Sequence, residues 1–271
     1  MNKYTVREYR RSDIPAMTAL WQGVFGDTEE LIGSFMALLQ DMGTAAVAEL
    51  NGSVVGAAYV IAGMELIGAG ARPPVCGYIY AVAVDPACRR LGIGRELTLR
   101  CAELARRRGA EVICTLPAEE SLYGWYRDVL GVECVLRRRR FELPCSADEG
   151  VMELSSTEYM LWRESMLRDK CHMHPSNPTL EFQRRFCKAL GGGLYACGSG
   201  ICSAYLENGA AVIKELITSV PGDAGTIAAS VGAFIGAERA VYFLPDVSGE
   251  VYLAALPGSI PPDCVWNISF D

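Results

Sequence analysis

The chain alternates between short apolar runs and amphipathic stretches, and this pattern predicts most of its elements. Tyr4 to Tyr9 has the two-residue period of a short strand. Ser12-Asp13-Ile14-Pro15 opens a helix, with Ser12 or Asp13 as its cap and Pro15 in its first turn. Met17, Leu20, Trp21 and Val24 share one face of it. Gly26-Asp27 ends that helix, and residues 29–39 predict a second. Two apolar runs, 45–50 and 54–61, flank Asn51-Gly52 and predict a hairpin. Residues 68–74 read as a loop. Residues 78–84 predict a strand buried on at least one face, ended by Pro86, which has no N–H for a ladder. The next helix places Ile93, Leu97, Cys101, Leu104 and Ala105 on one face, with Glu96/Arg100 and Glu103/Arg107 as pairs on the other, and stops at Gly109. A second buried strand (111–116), a helix (121–130) and a strand (135–143) follow.

Residues 144–150 read as a linker, dividing the chain into 1–144 and 151–271. Beyond it the first pattern partly recurs. Residues 193–196, a turn at Gly198-Ser199-Gly200, and 201–206 echo the hairpin. Residues 212–217 correspond to the central strand, 226–236 to its helix, and 240–245 to the second buried strand, since Leu116-Pro117 and Leu244-Pro245 both close their strands. The second half therefore reads as a decayed copy of the first. Its central strand and second buried strand are expected to be neighbours and parallel.

The 271 residues allow two ordinary domains, and 51% hydrophobic content is enough for sizeable cores. A net charge of −7 argues against a general nucleic-acid binder. Arg137-Arg138-Arg139-Arg140 lies in a strand-like stretch and reads as a solvated strand face. No apolar run is long enough to span a bilayer, and the first residues carry no signal-peptide core. Eleven cysteines without a C-x-x-C suit reduced thiols in a cytoplasmic protein.

The candidate chemistry lies between the central strand and its helix. Val84-Asp85-Pro86 leads to Arg89-Arg90-Leu91-Gly92-Ile93-Gly94-Arg95. The first N–H groups of a helix have no intrahelical partner, and Gly92 and Gly94 leave room for an anion to reach them. No Gly-Lys-Ser/Thr follows, and position 97 is Leu rather than a third glycine, so the string is neither a P-loop nor a dinucleotide fingerprint. It resembles the acyl-CoA pyrophosphate loop of the GNAT superfamily of N-acyltransferases, Arg/Gln-x-x-Gly-x-Gly/Ala after a Val-x-Pro strand end. The resemblance runs to about residue 143. It implies an α/β (α+β) GNAT fold with a central mixed sheet, here followed by a second, GNAT-like domain.

The resemblance also implies roles. Arg89 to Arg95 would hold the pyrophosphate of acetyl-CoA, and the backbone of Val82, Ala83 and Val84 would bond its pantetheine where the central strand splays from the next. A Tyr in the following helix would protonate the departing thiolate. The family string Phe-Tyr-x-x-Leu-Gly-Phe is similar to Trp125-Tyr126-Arg127-Asp128-Val129-Leu130-Gly131-Val132, which has one extra residue, so Tyr126 is the candidate and Tyr123 the alternative. No base stands out among Asp27, Glu29, Glu30, Asp41 and Glu65. Cys171-His172-Met173-His174 lacks a second ligand pair, so no metal is expected and both histidines read as loop residues or as a lip of the acceptor pocket. The implied reaction is direct acetyl transfer from acetyl-CoA to a primary amine on a small molecule or peptide, by a monomer or homodimer with no nucleic-acid or membrane partner. A non-catalytic acyl-CoA sensor or a scaffold is the alternative. In the second copy Asp223 stands where a phosphate would bind, so no cofactor is expected there.

Overall fold

Asn51-Gly52 and the apolar runs beside it form the hairpin that starts the central sheet. In the computed structural model, which describes residues 4–146, 150–256 and 258–266, two compact units are present. The first comprises Met1–Leu66, Gly70–Val135 and Leu253–Ile260; the second comprises Ile67–Ala69, Leu136–Tyr252 and Pro261–Asp271.

The first unit runs β1 (Thr5–Glu8), α1 (Ile14–Phe25), α2 (Glu29–Met42), β2 (Gly43–Leu50), β3 (Ser53–Ile67), β4 (Val75–Val84), α3 (Ile93–Arg107), β5 (Val112–Thr115) and α4 (Glu120–Leu130). Its sheet order is β1-β2-β3-β4-β5. All neighbours are antiparallel except β4 and β5, which are parallel. Neither predicted cap acts on α1. A short 3-10 turn, Arg11–Asp13, precedes it, and the Asp13 carboxylate instead accepts from Arg7 and from the Arg10 N–H. Thr28 caps α2, accepting from the Leu31 N–H. The Glu103–Arg107 pair forms, but Glu96 accepts from the Tyr4 hydroxyl and Arg100 turns to Glu103, because a neighbouring strand competes for Glu96.

α3 lies on one face of the sheet, where Ile93, Leu97, Cys101 and Ala105 pack on Ala46, Ala58, Val60 and Ile79. On the other face, Trp21 of α1 and Phe35 of α2 pack at tilted and edge-on angles against Tyr59 and Tyr80.

The second unit contains β6 (Glu133–Pro144), β7 (Val151–Glu153), α5 (Ser156–Met166), β8 (His172–His174), α6 (Asn177–Ala189), β9 (Gly193–Cys197), β10 (Gly200–Glu207), β11 (Ala210–Thr218), α7 (Ala224–Phe234) and β12 (Arg239–Pro245). Its strands follow the order β6-β12-β11-β10-β9-β7. β9, β10 and β11 are antiparallel neighbours, and β11 and β12 are parallel, with Val212 opposite Val241. The expected neighbour relation of the two strands is therefore present.

The strand expected to close the first domain does not do so. β6 pairs antiparallel with β12, Phe141 opposite Tyr242, with those two rings stacked at 5.0 Å. In the first unit, β5 is bordered instead by Ala254 and Ala255 of the last strand, β13 (Glu250–Ala255). The linker residues 147–149 lie outside the described residues. The arginine run is a solvated strand face at Arg137, Arg139 and Arg140, which are exposed, while Arg138 is half-buried. Arg138 lies over the rings of Phe243 and Tyr252, at 4.2 and 4.9 Å, and Arg139 pairs with Asp246. α5, which no sequence pattern announced, brings further charge into the core. Arg163 is fully buried and bonds Glu215, which also accepts from Tyr159 at 2.9 Å. Among the described residues, no helix is long and apolar enough to cross a membrane.

Candidate active site

β4 and β5 share four rungs, from Cys76–Val112 to Ile79–Thr115, and there the ladder stops. β5 ends at Thr115, while β4 continues to Val84. A bulge shapes this continuation: Tyr59 faces Tyr80 and Ala57 faces Ala83, so two residues of β4 oppose one of β3. Ala81 sits in the bulge at φ 48°, a left-handed conformation costly for any residue with a Cβ. The extra residue resets the side-chain alternation. Val82 and Val84 both pack against the α3 core, and Ala83 turns the other way, opposite Ala57. Beyond Ile79, among the described residues, no strand pairs with the β5-facing edge of β4. Backbone groups there are available to an extended ligand, apart from the Val84 carbonyl, which accepts from Arg89 Nε at 3.3 Å.

The strand leads straight into the glycine loop. Asp85 accepts from the Ala87 N–H and holds the turn. Gly92 caps α3 at φ 87°, and Arg90 also has a positive φ of 65°. The first helical hydrogen bond runs from the Glu96 N–H to the Gly92 carbonyl, leaving the N–H groups of Ile93, Gly94 and Arg95 pointing out of the helix end. A Cβ on Gly94 would meet only Val84 at 3.8 Å and Trp125 at 3.9 Å, so the space above the loop is open. Arg89, Arg90 and Arg95 are exposed around it. Strand end, loop and α4 therefore surround one position with donors and positive charge, and this cradle fits a phosphate group.

α4 carries both candidate tyrosines. Tyr126 is buried beside Val132 and Ala254, while Tyr123 is half-buried at the rim of the same cluster. Trp125 stands edge-on to the Tyr126 ring, their centroids 4.8 Å apart. Burial raises the phenol above its ordinary value, while the nearby Thr115 side chain works in the opposite sense. Thr115 itself donates to the Ile79 carbonyl at 3.1 Å. Thr115 went unnoticed in the sequence; its only signal is a hydroxyl at the end of the apolar run Val112-Ile113-Cys114.

On the opposite face the Trp21 indole donates to Asp27 at 2.7 Å. Glu29 and Glu30 begin α2 beside it and are exposed. A cleft of about 370 Å³ follows α1 to the end of β4, lined by small and apolar residues such as Ala16, Ala19 and Gly23, with Asp85 at its edge.

The two histidines lie in a strand, β8, rather than in a loop. His172 is almost fully buried and lies 3.0 Å from Glu164, and His174 approaches the same carboxylate oxygen at 3.0 Å. The carboxylate between them offsets the burial of His172, while His174 is only half-buried. Among the described residues, no group of three or more His, Cys, Asp or Glu is arranged to hold a metal ion.

The sequence model of the acetyltransferase (GNAT) family matches residues 8–131. These residues are a GNAT acetyltransferase domain. The match spans β4, the glycine loop, α3, β5 and α4, that is, the whole cradle just described. No curated protein matches the chain. Among solved structures, a GCN5-related N-acetyltransferase from Kribbella flavida is similar over 93% of this chain and 70% of its own, at 15% identity and a TM-score of 0.67. A conserved protein of Enterococcus faecalis V583 covers 96% and 74%, at 14% identity and a TM-score of 0.70. A GCN5-related N-acetyltransferase from Anabaena variabilis covers 93% and 72%, at 12% identity and a TM-score of 0.66. At these identities the likeness is one of fold, and it extends well beyond the GNAT domain of residues 8–131.

Proposed function

We propose that the chain moves an acetyl group from acetyl-CoA to a primary amine by direct attack. The observation that carries this reading is the junction of β4 with α3. A strand edge left open beyond Ile79 runs into an open helix N-terminus ringed by Arg89, Arg90 and Arg95. A thioester with a long amide-bearing arm and a pyrophosphate fits both parts. The arm would bond the backbone of Val82 and Ala83, and of Val84 on rearrangement of Arg89. The pyrophosphate would lie on the N–H groups from Leu91 to Arg95, where Gly92, Ile93 and Gly94 bring the backbone close.

Tyr126 is the acid in this reading. A buried phenol with a raised pKa stays protonated at neutral pH and can give its proton to a thiolate. The bulge at Ala81 sets the path of β4 past the divergence. The amine would enter from the face of α1 and α2. Residues 12–71 contain Asp13, Asp27, Glu29, Glu30, Asp41, Glu49 and Glu65, but no Lys, Arg or His. Asp13 and Glu49 are engaged by Arg7, which leaves the region around Asp27 acidic. This favours a cationic acceptor that loses a proton on the way to the carbonyl carbon.

The second unit is, in the same proposal, a copy of the fold without its cofactor site. Its strands β9 to β12 and helix α7 repeat the order of β2 to β5 and α3. Where Gly94 faces open space, a Cβ on Gly225 would meet Leu143 at 3.3 Å and the Tyr242 hydroxyl at 3.5 Å. Asp223 stands at the start of α7, accepting from Ser199. The deciding experiment combines calorimetry with turnover. One acetyl-CoA should bind per chain, and thiol release should depend on an added amine. Binding without release across a broad amine panel would leave a sensor rather than an enzyme.

A further inference from the structure

We infer that Tyr4 is a positioning residue that holds the Glu96 carboxylate out of the phosphate cradle at the start of α3. This rests on the acyltransferase reading above, in which the pyrophosphate of acetyl-CoA lies on that helix end. The Tyr4 hydroxyl donates to Glu96 Oε1 at 2.8 Å, and the same hydroxyl oxygen lies 3.4 Å from where a Cβ on Gly92 would stand. The Glu96 carboxylate is thus held close to the N-cap glycine of the helix. The Glu96 N–H makes the first helical hydrogen bond, to the Gly92 carbonyl, so the acid belongs to the turn that forms the cradle.

An untied carboxylate there would compete with the ligand. Helix side chains lean toward the N-terminus, over the turn before their own Cα. The outward N–H groups of Ile93, Gly94 and Arg95, together with the helix dipole, attract a carboxylate as they attract a phosphate. Arg89, Arg90 and Arg95 are exposed around the same place and add to that pull. A helical ion pair with Arg100, one turn on, would restrain Glu96, but Arg100 bonds Glu103 at 2.5 Å instead. Tyr4 supplies the restraint. Its ring packs against the core beneath α3, which fixes where the hydroxyl stands. Burial and the neighbouring carboxylate both raise the Tyr4 phenol above its ordinary value, so it keeps the proton that it donates. Asp85, the acid at the other end of the loop, is tied as well, accepting from the Ala87 N–H at 2.8 Å. Both acids therefore have donors of their own, which leaves the helix N–H groups and the arginines for an outside anion.

The test uses the full chain with Tyr4→Phe, Glu96→Gln and the two changes together. Calorimetry gives the dissociation constants of acetyl-CoA and, as a second probe, of inorganic pyrophosphate, and thermal unfolding reports on the fold. Tyr4→Phe keeps the ring and should weaken both ligands about three- to tenfold, the size of one hydrogen bond. Glu96→Gln removes the competing charge and should bind both ligands at least as tightly as wild type. In the double variant the loss caused by Tyr4→Phe should vanish. An unchanged dissociation constant in Tyr4→Phe overturns the role of Tyr4. A loss that persists in the double variant also overturns it, since Tyr4 would then touch the ligand itself. Weaker binding by Glu96→Gln alone overturns it too, since Glu96 would then be a ligand group rather than a competitor. Wild-type protein that binds pyrophosphate in the expected pattern but not acetyl-CoA overturns the acyltransferase reading and leaves Tyr4 its role, whereas protein that binds neither overturns both.

Discussion

A Cβ on Gly92 would stand 3.4 Å from the Tyr4 hydroxyl, which itself donates to Glu96 at 2.8 Å. The loop is therefore tied to β1 and is already in its left-handed turn, with φ 87° at Gly92. Any side chain there costs about 1–2 kcal/mol in backbone strain. Gly92→Ala should lower stability by that amount and weaken acetyl-CoA binding moderately. Gly92→Asp carries the same strain plus a negative charge at the helix end, and should abolish measurable binding while keeping the fold. Thermal unfolding and calorimetry on both variants separate strain from charge.

Tyr126→Phe keeps the ring that packs on Val132 and Trp125 and removes only the hydroxyl. Loss of general-acid help costs about 10²–10⁴-fold in rate. We expect kcat to fall in that range with the acetyl-CoA dissociation constant unchanged, and Tyr123→Phe to have little effect. Pre-steady-state kinetics with a reactive amine would check both.

In the second unit Glu215 is fully buried and receives hydrogen bonds from Arg163 and Tyr159. Glu215→Ala strands the Arg163 guanidinium without its buried partner. Breaking such a pair costs about 3–5 kcal/mol. Urea unfolding should show that loss, and the double change Arg163→Met with Glu215→Leu should recover part of it, because a well-packed apolar pair needs no compensation for charge.

Burial works to raise the pKa of Glu164, yet the hydrogen bond from His172, the close approach of His174 and the charge of Arg163 prevail and hold the carboxyl well below its usual range. A carboxyl depressed in the folded state stabilises above its unfolded value, about pH 4.3, and that contribution is lost as pH falls toward the lowered native value. Glu164→Gln should therefore be less stable than wild type at pH 6, with the gap closing progressively below pH 4. Urea titrations at a series of pH values would show whether it closes.

Much of this protein was legible along the chain because the signals are local. A proline ends a strand for want of an N–H, Asn51-Gly52 makes a hairpin turn, and Arg89 to Gly94 can only cradle an anion if a helix starts there. The glycine loop and the two parallel-strand pairs follow from such rules. Other features depend on which distant segment wins a competition. β6 carries a strand pattern but nothing in it chooses between possible partner strands; pairing with β12, and stacking of Phe141 on Tyr242, decides. Glu96 had a helix partner at the right spacing and took Tyr4 instead. His172 and His174 looked like loop residues until Glu164, on another element, drew them in. Period and turn chemistry act within a few residues, so the sequence alone determined the elements and the loop. Sheet partners and buried charges are set by groups tens of residues apart, so only the tertiary structure decided them.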